Sequence, residues 1–287
     1  MDLCDMSFVR PLLEAHGFHF SKAKGQNFLT ARWVPERIVR EAGVDASQGV
    51  LEIGPGVGVL TRELAPAAGR VCAVELDRLL IPVLGETLGD LDNVTVIEGD
   101  ALKLDLRELA AREFAGLTPV VCANLPYNVT SPLLAAFIDA GCFERITVMV
   151  QREVARRLCA APGTADYGAF TVYTQFHTEA HILFDVPPDC FMPRPKVTSS
   201  VISLTPWKEK QPVKDEALFF KTVKAAFLMR RKTLLNGLSS FFGDRLSKEA
   251  LADVIAACGF APMVRGETLG IPEFARLADE LSERGLR

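Results

Sequence analysis

The stretch of this sequence best suited to chemistry is the tetrapeptide Asn-Leu-Pro-Tyr at positions 124–127. It follows an apolar run that predicts a buried strand, and ligands in open α/β sheets bind where strands end. The amide oxygen of Asn124 and the carbonyl of Leu125 can accept hydrogen bonds from the exocyclic amine of a planar base. Pro126 fixes the local backbone, and the ring of Tyr127 offers a stacking face. A tight turn into the next helix explains the same residues, so both interpretations stay open.

A glycine turn at positions 54–58 gives the second signal of a binding site. A buried-strand pattern precedes it and helix-compatible residues follow, and Gly54 and Gly56 would let the backbone approach a nucleotide closely. Glu75 lies about 20 residues further along, after the next strand pattern, where a carboxylate can bind ribose hydroxyls. Asp100 follows a third strand pattern and can accept a hydrogen bond from an adenine amine or simply cap a turn. Together the turn and the acids indicate a site for an adenosyl cofactor.

Buried-strand and helix patterns alternate along most of the chain, which predicts an α/β fold with a parallel sheet wound by helices on both faces. A helix is predicted at 167–177. Residues 207–215 combine charges and prolines without periodicity and predict a linker, beyond which the patterns are helical. The sequence therefore predicts two domains, 1–207 and 208–287. The segments with a strand pattern are 49–53, 70–74, 94–98, 118–122, 145–150, 181–186 and 197–204.

Three basic groups are candidates for contact with RNA phosphates, although a solvated surface is the alternative for each. The pattern over 219–238 predicts one helix with cations beside its apolar face, and the absence of acids there favours phosphate contacts. A proline-rich loop at 186–196 carries two cations beside Phe191, whose ring can stack on a base or pack in the core. A short basic segment begins at Ser21. The proposed RNA-binding residues are Lys22, Lys24, Arg194, Lys196, Lys221, Lys224, Arg231 and Lys232.

Composition limits the possible functions. The chain has 287 residues, of which 49% are apolar, and its net charge of −4 argues against a non-specific nucleic-acid binder. No apolar run is long enough for a membrane span and no signal-peptide pattern is visible, so a cytoplasmic protein is expected. The seven cysteines form no CxxC pair and are expected to be reduced, and no metal site is expected. The four histidines lie outside these motifs and receive no catalytic role.

Several motifs, in one order along the chain, resemble those of the ribosomal RNA adenine N6,N6-dimethyltransferases, in particular the bacterial small-subunit (16S) enzymes. The resemblance runs from about Gly25 to the C-terminus. The lead-in Lys22-Ala23-Lys24 departs from the Arg-Phe often found there in the family, and the segment before Ser21 is longer than in many relatives. The matching segments are GQNFL (25–29), LEIGPGVGVLT (51–61), VELD (74–77), GDAL (99–102), NLPYNVTSPLL (124–134), YGAFTVYTQ (167–175), VPPDCFMPRPKVTSSV (186–201) and RRKTLLN (230–236).

The resemblance implies a seven-stranded, doubly wound methyltransferase (Rossmann-like) sheet with a small all-helical C-terminal domain. It implies S-adenosyl-L-methionine as the methyl donor of the first domain and RNA binding by the second. With the glycine turn included, the expected donor-binding residues are Asn27, Leu29, Gly54, Gly56, Glu75, Asp100 and Asn124. The residues expected to hold the target adenine are Asn124, Leu125, Pro126, Tyr127 and Phe191.

The implied reaction is methyl transfer to the N6 atoms of two adjacent adenosines in a loop near the 3′ end of 16S rRNA, in the pre-30S small ribosomal subunit. The enzyme would act as a monomer, without an obligatory protein partner, and would contribute to small-subunit biogenesis. An NAD-dependent dehydrogenase is one alternative, although the turn has GxGxG rather than GxGxxG spacing. A non-catalytic RNA-binding assembly factor and a large-subunit or mitochondrial methyltransferase are the others.

Overall fold

The computed structural model describes residues 1–18 and 27–286, so the predicted RNA-binding residues Lys22 and Lys24 lie outside the described residues. No helix among the described residues is long and apolar enough to cross a membrane. Contacts between residues divide the chain into two compact units. Unit 1 contains Met1–Ala155 and Ala180–Pro206, and unit 2 contains Arg156–Glu179 and Trp207–Arg287.

Strands and helices alternate along unit 1, and the seven predicted strand segments correspond to β2–β7 and β9. Within the described residues the strands are β1 (Phe28–Leu29), β2 (Gln48–Ile53), β3 (Arg70–Glu75), β4 (Val94–Glu98), β5 (Thr118–Asn124), β6 (Ile146–Gln151), β7 (Thr178–Val186), β8 (Phe191–Met192) and β9 (Ser199–Pro206). The α-helices of both units, within the described residues, are α1 (Met6–Ala15), α2 (Trp33–Ala42), α3 (Val59–Leu64), α4 (Leu80–Leu88), α5 (Leu106–Glu113), α6 (Thr130–Ala140), α7 (Arg152–Leu158), α8 (Ala169–His177), α9 (Glu216–Leu228), α10 (Leu234–Phe242), α11 (Lys248–Ala257) and α12 (Ile271–Glu283).

The large sheet has the strand order β4-β3-β2-β5-β6-β9-β7, which confirms the seven-stranded Rossmann-like sheet. β2 pairs in parallel with both β3 and β5, and the pairs β3–β4 and β5–β6 are also parallel. β9 lies between β6 and the edge strand β7 and pairs antiparallel with β6, so the prediction of a parallel sheet is wrong at this strand. The chain passes from β7 to its neighbour β9 through only a short 3-10 turn and β8, which is too short for the α-helical crossover that a strand parallel to β7 needs.

The core of unit 1 explains where its strands end. β2 is buried at every position, as the nearly continuous apolar runs of central parallel strands predict. β3 and β5 flank it, and their inner residues, such as Cys72 and Cys122, are also fully buried. Because the carboxyl ends of parallel strands meet at one edge of a sheet, Gly54, Glu75 and Asn124 come together there.

Unit 2 consists of α9–α12 together with α8 and the residues around it. Phe176 of α8 packs against Phe219 of α9, with 4.6 Å between the ring centroids. The hydroxyl of Tyr167 donates a hydrogen bond of 2.9 Å to the carbonyl of Leu269. These contacts place the segment Arg156–Glu179 in unit 2, whereas the sequence boundary at residue 207 left it in the first domain. A boundary drawn at a linker does not detect such tertiary contacts.

The prediction of a single helix over 219–238 is wrong, since α9 ends at Leu228 and α10 begins at Leu234. In the connection, Arg230 forms an ion pair of 2.8 Å with Glu267, a tertiary contact that helical periodicity does not reveal. The apolar pattern continues across the connection because both helices pack into one core. The four predicted RNA-binding cations are therefore divided, with Lys221 and Lys224 on α9 and Arg231 and Lys232 in the connection.

Strand β2 carries one buried acid, Glu52, which is 1% exposed. The hydroxyl of Thr61 in α3 donates a hydrogen bond of 2.7 Å to Oε2 of Glu52 and so links the helix to the strand. Burial raises the pKa of Glu52 to about 8, an effect that this hydrogen bond partly offsets and the charge of Glu75 increases. The folded protein therefore holds a proton at Glu52 at pH values where the unfolded chain has lost it.

The contribution of Glu52 to the free energy of unfolding should fall as the pH rises from about 5 to about 8, because in this range Glu52 keeps its proton in the folded state and has lost it in the unfolded state. Glu52→Gln removes this dependence. The free energy of unfolding of this variant minus that of the wild type should therefore be larger at pH 8 than at pH 5, by roughly 1–3 kcal/mol. Urea unfolding at both ends of the range measures the difference, and Glu63→Gln, at an exposed acid of α3, controls for lost charge. A difference that stays constant with pH would contradict a protonated Glu52.

Candidate active site

A cavity of about 330 Å³ lies in unit 1 at the edge where β2, β3 and β5 end. Four chain segments line it: the residues around β1, the glycine turn, the residues after β3 and the tetrapeptide after β5. The structure therefore brings most of the predicted donor-binding residues together with the tetrapeptide. The predicted residues that line the cavity are Asn27, Leu29, Gly54, Gly56, Glu75, Asn124, Leu125, Pro126 and Tyr127.

The glycine turn after β2 brings the backbone itself to the cavity. Gly54, Gly56 and Gly58 have φ angles of 69°, 63° and 91°, a region that residues with side chains rarely adopt. A Cβ atom on Gly56 would lie 3.1 Å from the ring of Phe28, and one on Gly58 would lie 2.8 Å from the side chain of Leu88. The positive φ angles therefore require glycine at these positions, and the ring of Phe28 leaves little room for a side chain at Gly56.

Glu75, the last residue of β3, is 5% exposed and lines the cavity. The backbone N–H of Gly56 donates to its Oε2 at 3.3 Å, and the N–H of Asp77 donates to its Oε1 at 2.8 Å. Burial raises the pKa of Glu75, while these backbone hydrogen bonds lower it. Each carboxylate oxygen is thus held in place and keeps a lone pair that can accept a hydrogen bond from a ligand hydroxyl.

The tetrapeptide is held by the strand next to it and by the helix after it. β5 ends at Asn124, and the N–H of Leu125 donates to the carbonyl of Met149 on β6 at 3.1 Å. The hydroxyl of Thr130 donates to the carbonyl of Pro126 at 3.2 Å, and a short 3-10 turn then leads into α6. The two interpretations that the sequence left open are compatible, since the same residues form the turn and line the cavity.

Tyr127 is fixed at its hydroxyl end as well as through the backbone. Its hydroxyl shares a hydrogen bond of 2.6 Å with Oγ of Ser199 on β9. Burial raises the pKa of Tyr127, and the hydrogen bond with Ser199 offsets part of this increase. The phenol therefore stays protonated at neutral pH, which suits a stacking or hydrogen-bonding role rather than proton abstraction.

Several residues that line the cavity were not predicted from the sequence. Glu52 is one of them, and its position two residues before the first glycine of the turn could have indicated that it lies near the cavity. Leu76 is another, and its 68% exposure beside Glu75 gives the cavity an apolar surface. The others are Phe28, Pro55, Val57, Val59, Leu60, Asp77, Leu80, Asn128 and Val129.

Two predicted site residues do not line the cavity. Asp100 accepts a hydrogen bond of 3.1 Å from the N–H of Leu102 and caps a short turn, which is the alternative that the sequence left open. Phe191 is 3% exposed and belongs to the core of unit 1. Its strand, β8, pairs with β1 so that Phe191 lies opposite Leu29, and it thus supports a residue that does line the cavity.

The predicted RNA-binding cations differ in their surroundings. Arg194 forms an ion pair of 2.8 Å with Asp189, so its charge is partly neutralised. Lys196 in the same loop is exposed. The predicted cations of unit 2 are also exposed: Lys221, Lys224, Arg231 and Lys232.

The sequence is closely similar to that of known proteins. Residues 17–257 match the family model described as ribosomal RNA adenine dimethylase. The chain is 44% identical to a ribosomal RNA small subunit methyltransferase A of Streptococcus gordonii over the full length of both proteins. It is also 44% identical to the protein of that name from Geobacillus thermodenitrificans, over 98% of this chain and 97% of the relative.

Two solved structures are similar in both fold and sequence. A dimethyladenosine transferase from Plasmodium falciparum matches with a TM-score of 0.75 and 25% identity over 90% of this chain and 98% of that one. The 23S rRNA methyltransferase ErmE matches with a TM-score of 0.66 and 26% identity over 89% and 100%. The family match includes the glycine turn, Glu75 and the tetrapeptide, which together form the cavity. This chain therefore belongs to the ribosomal RNA adenine dimethylase family.

Proposed function

We propose that this chain transfers methyl groups from S-adenosyl-L-methionine to N6 of two adjacent adenosines in a loop near the 3′ end of 16S rRNA. The observation that carries the proposal is a single cavity lined by the buried carboxylate of Glu75 and by Asn124 and Leu125. Relatives with 44% identity are named small subunit methyltransferases, which supports the small ribosomal subunit as the substrate. In this proposal the chain acts as a monomer on cytoplasmic pre-30S particles and contributes to their maturation.

The cavity fits an adenosyl donor in size and in polar groups. Its volume of about 330 Å³ lies within the range of small-molecule sites. Glu75 presents two anchored oxygens to a ribose diol, and the positive φ angles of the glycine turn let the backbone approach the ligand. When bound, S-adenosyl-L-methionine supplies a methyl group made electrophilic by its sulfonium. The other proposed donor contacts are Asn27, Leu29, Gly54, Gly56 and Asn124 in the cavity, together with Asp100, whose contact requires the donor to extend beyond the cavity.

Asn124 and Leu125 address the main chemical difficulty of the reaction. The exocyclic amine of adenine is a poor nucleophile because its lone pair is delocalised into the ring. The side-chain oxygen of Asn124 and the carbonyl of Leu125 can each accept a hydrogen bond from this amine, which favours a pyramidal nitrogen with its lone pair directed at the donor. Positioning of this kind supplies much of the rate of a two-substrate reaction. A strong base is not needed, because the alkylated nitrogen is acidic and releases its proton readily.

The target adenine must leave the RNA helix or lie in a loop to enter the cavity. Tyr127 then offers a stacking face, and Pro126 fixes the backbone between the amine-binding oxygens and this ring. The proposed contact with Phe191 requires its ring to become accessible when RNA binds, because it is buried in the core. Addition of a second methyl group requires that the same pocket also accept the monomethylated amine.

Glu75→Ala should weaken binding of S-adenosyl-L-methionine because the ribose hydroxyls lose a charged acceptor. The expected loss is roughly 1.5–3 kcal/mol, measured by isothermal titration calorimetry on the folded variant. Glu98→Ala is the matched control, since Glu98 lies opposite Glu75 in the β3–β4 register but does not line the cavity. Unchanged affinity of Glu75→Ala would remove Glu75 from the donor site, and preferential binding of NAD would favour a dehydrogenase instead.

Asn124→Ala should lower the single-turnover methylation rate on the order of 100-fold, with much less effect on RNA affinity, because its oxygen matters most in the transition state. Rapid-quench assays with 30S particles measure the rate. Asn93→Ala is the control for loss of an amide, since Asn93 lies outside the cavity. Mass spectrometry of small-subunit RNA from a deletion strain should show that the wild-type chain restores dimethyladenosine and Asn124→Ala does not. Dimethyladenosine that persists without the gene would refute the proposed function.

The cations of unit 2 should supply phosphate contacts, because a chain with a net charge of −4 needs a local basic surface to hold RNA. Replacing Lys221, Lys224, Arg231 and Lys232 by Gln should flatten the slope of log affinity against log salt by about 3 if all four contact phosphate. Binding to 30S particles at several salt concentrations measures the slope. Donor binding should stay unchanged, because these cations lie in unit 2 and the cavity lies in unit 1.

A control variant replaces cations that pair with glutamates in unit 2, namely Lys214, Arg276 and Arg284. Its slope should remain near the wild-type value, because none of these three cations lies on α9 or in the connection between α9 and α10. Equal slopes for the four-residue variant and the wild type would mean that RNA is held elsewhere, with Lys22 and Lys24 as the next candidates.

A further inference from the structure

Two adjacent serines of β9 use their hydroxyls in different ways. Oγ of Ser199 shares a hydrogen bond of 2.6 Å with the hydroxyl of Tyr127. The hydroxyl of Ser200 donates a hydrogen bond of 2.6 Å to Oδ1 of Asp185 on β7. Successive residues of a strand point to opposite faces of the sheet, and both serines are fully buried. Only the Ser199 side chain therefore reaches a residue of the candidate active site.

Ser199 occupies a rigid position in the sheet. It pairs with Gln151 at the end of the antiparallel β6–β9 ladder. β6 also provides the carbonyl of Met149, which accepts the hydrogen bond from the N–H of Leu125. The tetrapeptide is thus tied to this ladder twice, through the backbone at Leu125 and through the side-chain hydroxyl at Tyr127.

The second tie controls the orientation of an aromatic ring. Without a partner for its hydroxyl, the Tyr127 side chain is restrained only by its backbone and by packing, and its partly buried phenol lacks the hydrogen bond with Ser199. Binding sites need side chains fixed by supporting hydrogen bonds, since small displacements reduce the rate of the positioned reaction. A stacking face for a flipped base has this requirement, because the base loses its stacking neighbours in the helix and takes its stacking from the pocket instead.

We propose that Ser199 is a positioning residue of the target-base pocket, whose hydroxyl holds the Tyr127 ring in the orientation on which the target adenine stacks. This inference rests on the proposed function. Ser199 does not touch the substrate and acts only through Tyr127. Loss of its hydroxyl lowers the efficiency with which the adenine is captured, while donor binding and most of the RNA affinity, which comes from phosphate contacts, are unchanged.

The test compares Ser199→Ala, Tyr127→Phe, the double variant and Ser200→Ala in the full-length protein with 30S particles. Ser199→Ala should lower kcat/KM for RNA about tenfold, because it leaves the partly buried Tyr127 hydroxyl without the hydrogen bond that orients the ring. In the Tyr127→Phe background the same substitution should change kcat/KM by less than about twofold, because the partner of Ser199 is already absent. Ser200→Ala is the matched control, since it removes a buried hydroxyl from the same strand, and its kcat/KM should stay near the wild-type value.

Donor affinity and the thermal midpoint separate positioning from general damage to the fold. Ser199→Ala should bind S-adenosyl-L-methionine as the wild type does and should unfold near the temperature of Ser200→Ala. The inference is overturned if Ser199→Ala and Ser200→Ala methylate RNA equally well, or if Ser199→Ala has its full effect in the Tyr127→Phe background. Should Ser199→Ala fail to fold, Tyr127→Phe alone removes the same hydrogen bond and must still lower kcat/KM. Absence of dimethyladenosine with the wild-type chain would instead refute the proposed function itself.

Discussion

Parallel pairing of β2 with both β3 and β5 is the constraint on which the candidate active site depends. The register places Ile53 opposite Val74, so β2 and β3 end together, and β5 ends at the same edge with Asn124. The glycine turn, Glu75 and the tetrapeptide are then neighbours although they are far apart in sequence. A slip of one residue in any of these strands would turn its side chains to the opposite face of the sheet. The buried apolar strands thus fix the register, and the register positions the chemistry.

The cavity combines buried acids with neutral hydrogen-bond acceptors, and these two kinds of group serve different substrates. Glu52 and Glu75 are both buried, and burial raises the pKa of each. Buried carboxylates destabilise a fold unless they are hydrogen-bonded, and here Thr61 and backbone N–H groups provide those bonds. The tetrapeptide instead offers oxygens that carry no full charge, which suits an amine that must stay uncharged to react. The acids therefore suit the proposed donor and the neutral oxygens suit the proposed base.

The sequence predicts those parts of the fold that follow from local patterns. The strand segments and the glycine turn were predicted because apolar runs and positive φ angles are properties of a few adjacent residues. The break between α9 and α10 was not predicted, because the apolar pattern continues across it and the contact of Arg230 with Glu267 in the connection is a tertiary contact. Glu52 lies within a predicted buried strand, but it also lines the cavity. Phe191 was predicted to lie in the site, but its aromatic ring packs in the core of unit 1. A local pattern in the sequence predicts a strand or a turn, but which side chains are buried depends on the packing of the whole sheet.

In the proposed reaction, Asn124 and Leu125 hold the amine that receives the methyl group. The most direct test is a crystal structure of the protein with S-adenosylhomocysteine and an RNA fragment that contains the target adenosine. We expect N6 of the flipped adenine to lie about 3 Å from both the side-chain oxygen of Asn124 and the carbonyl of Leu125, within hydrogen-bonding distance of each. An adenine bound in the cavity with N6 directed away from these two oxygens would contradict this expectation.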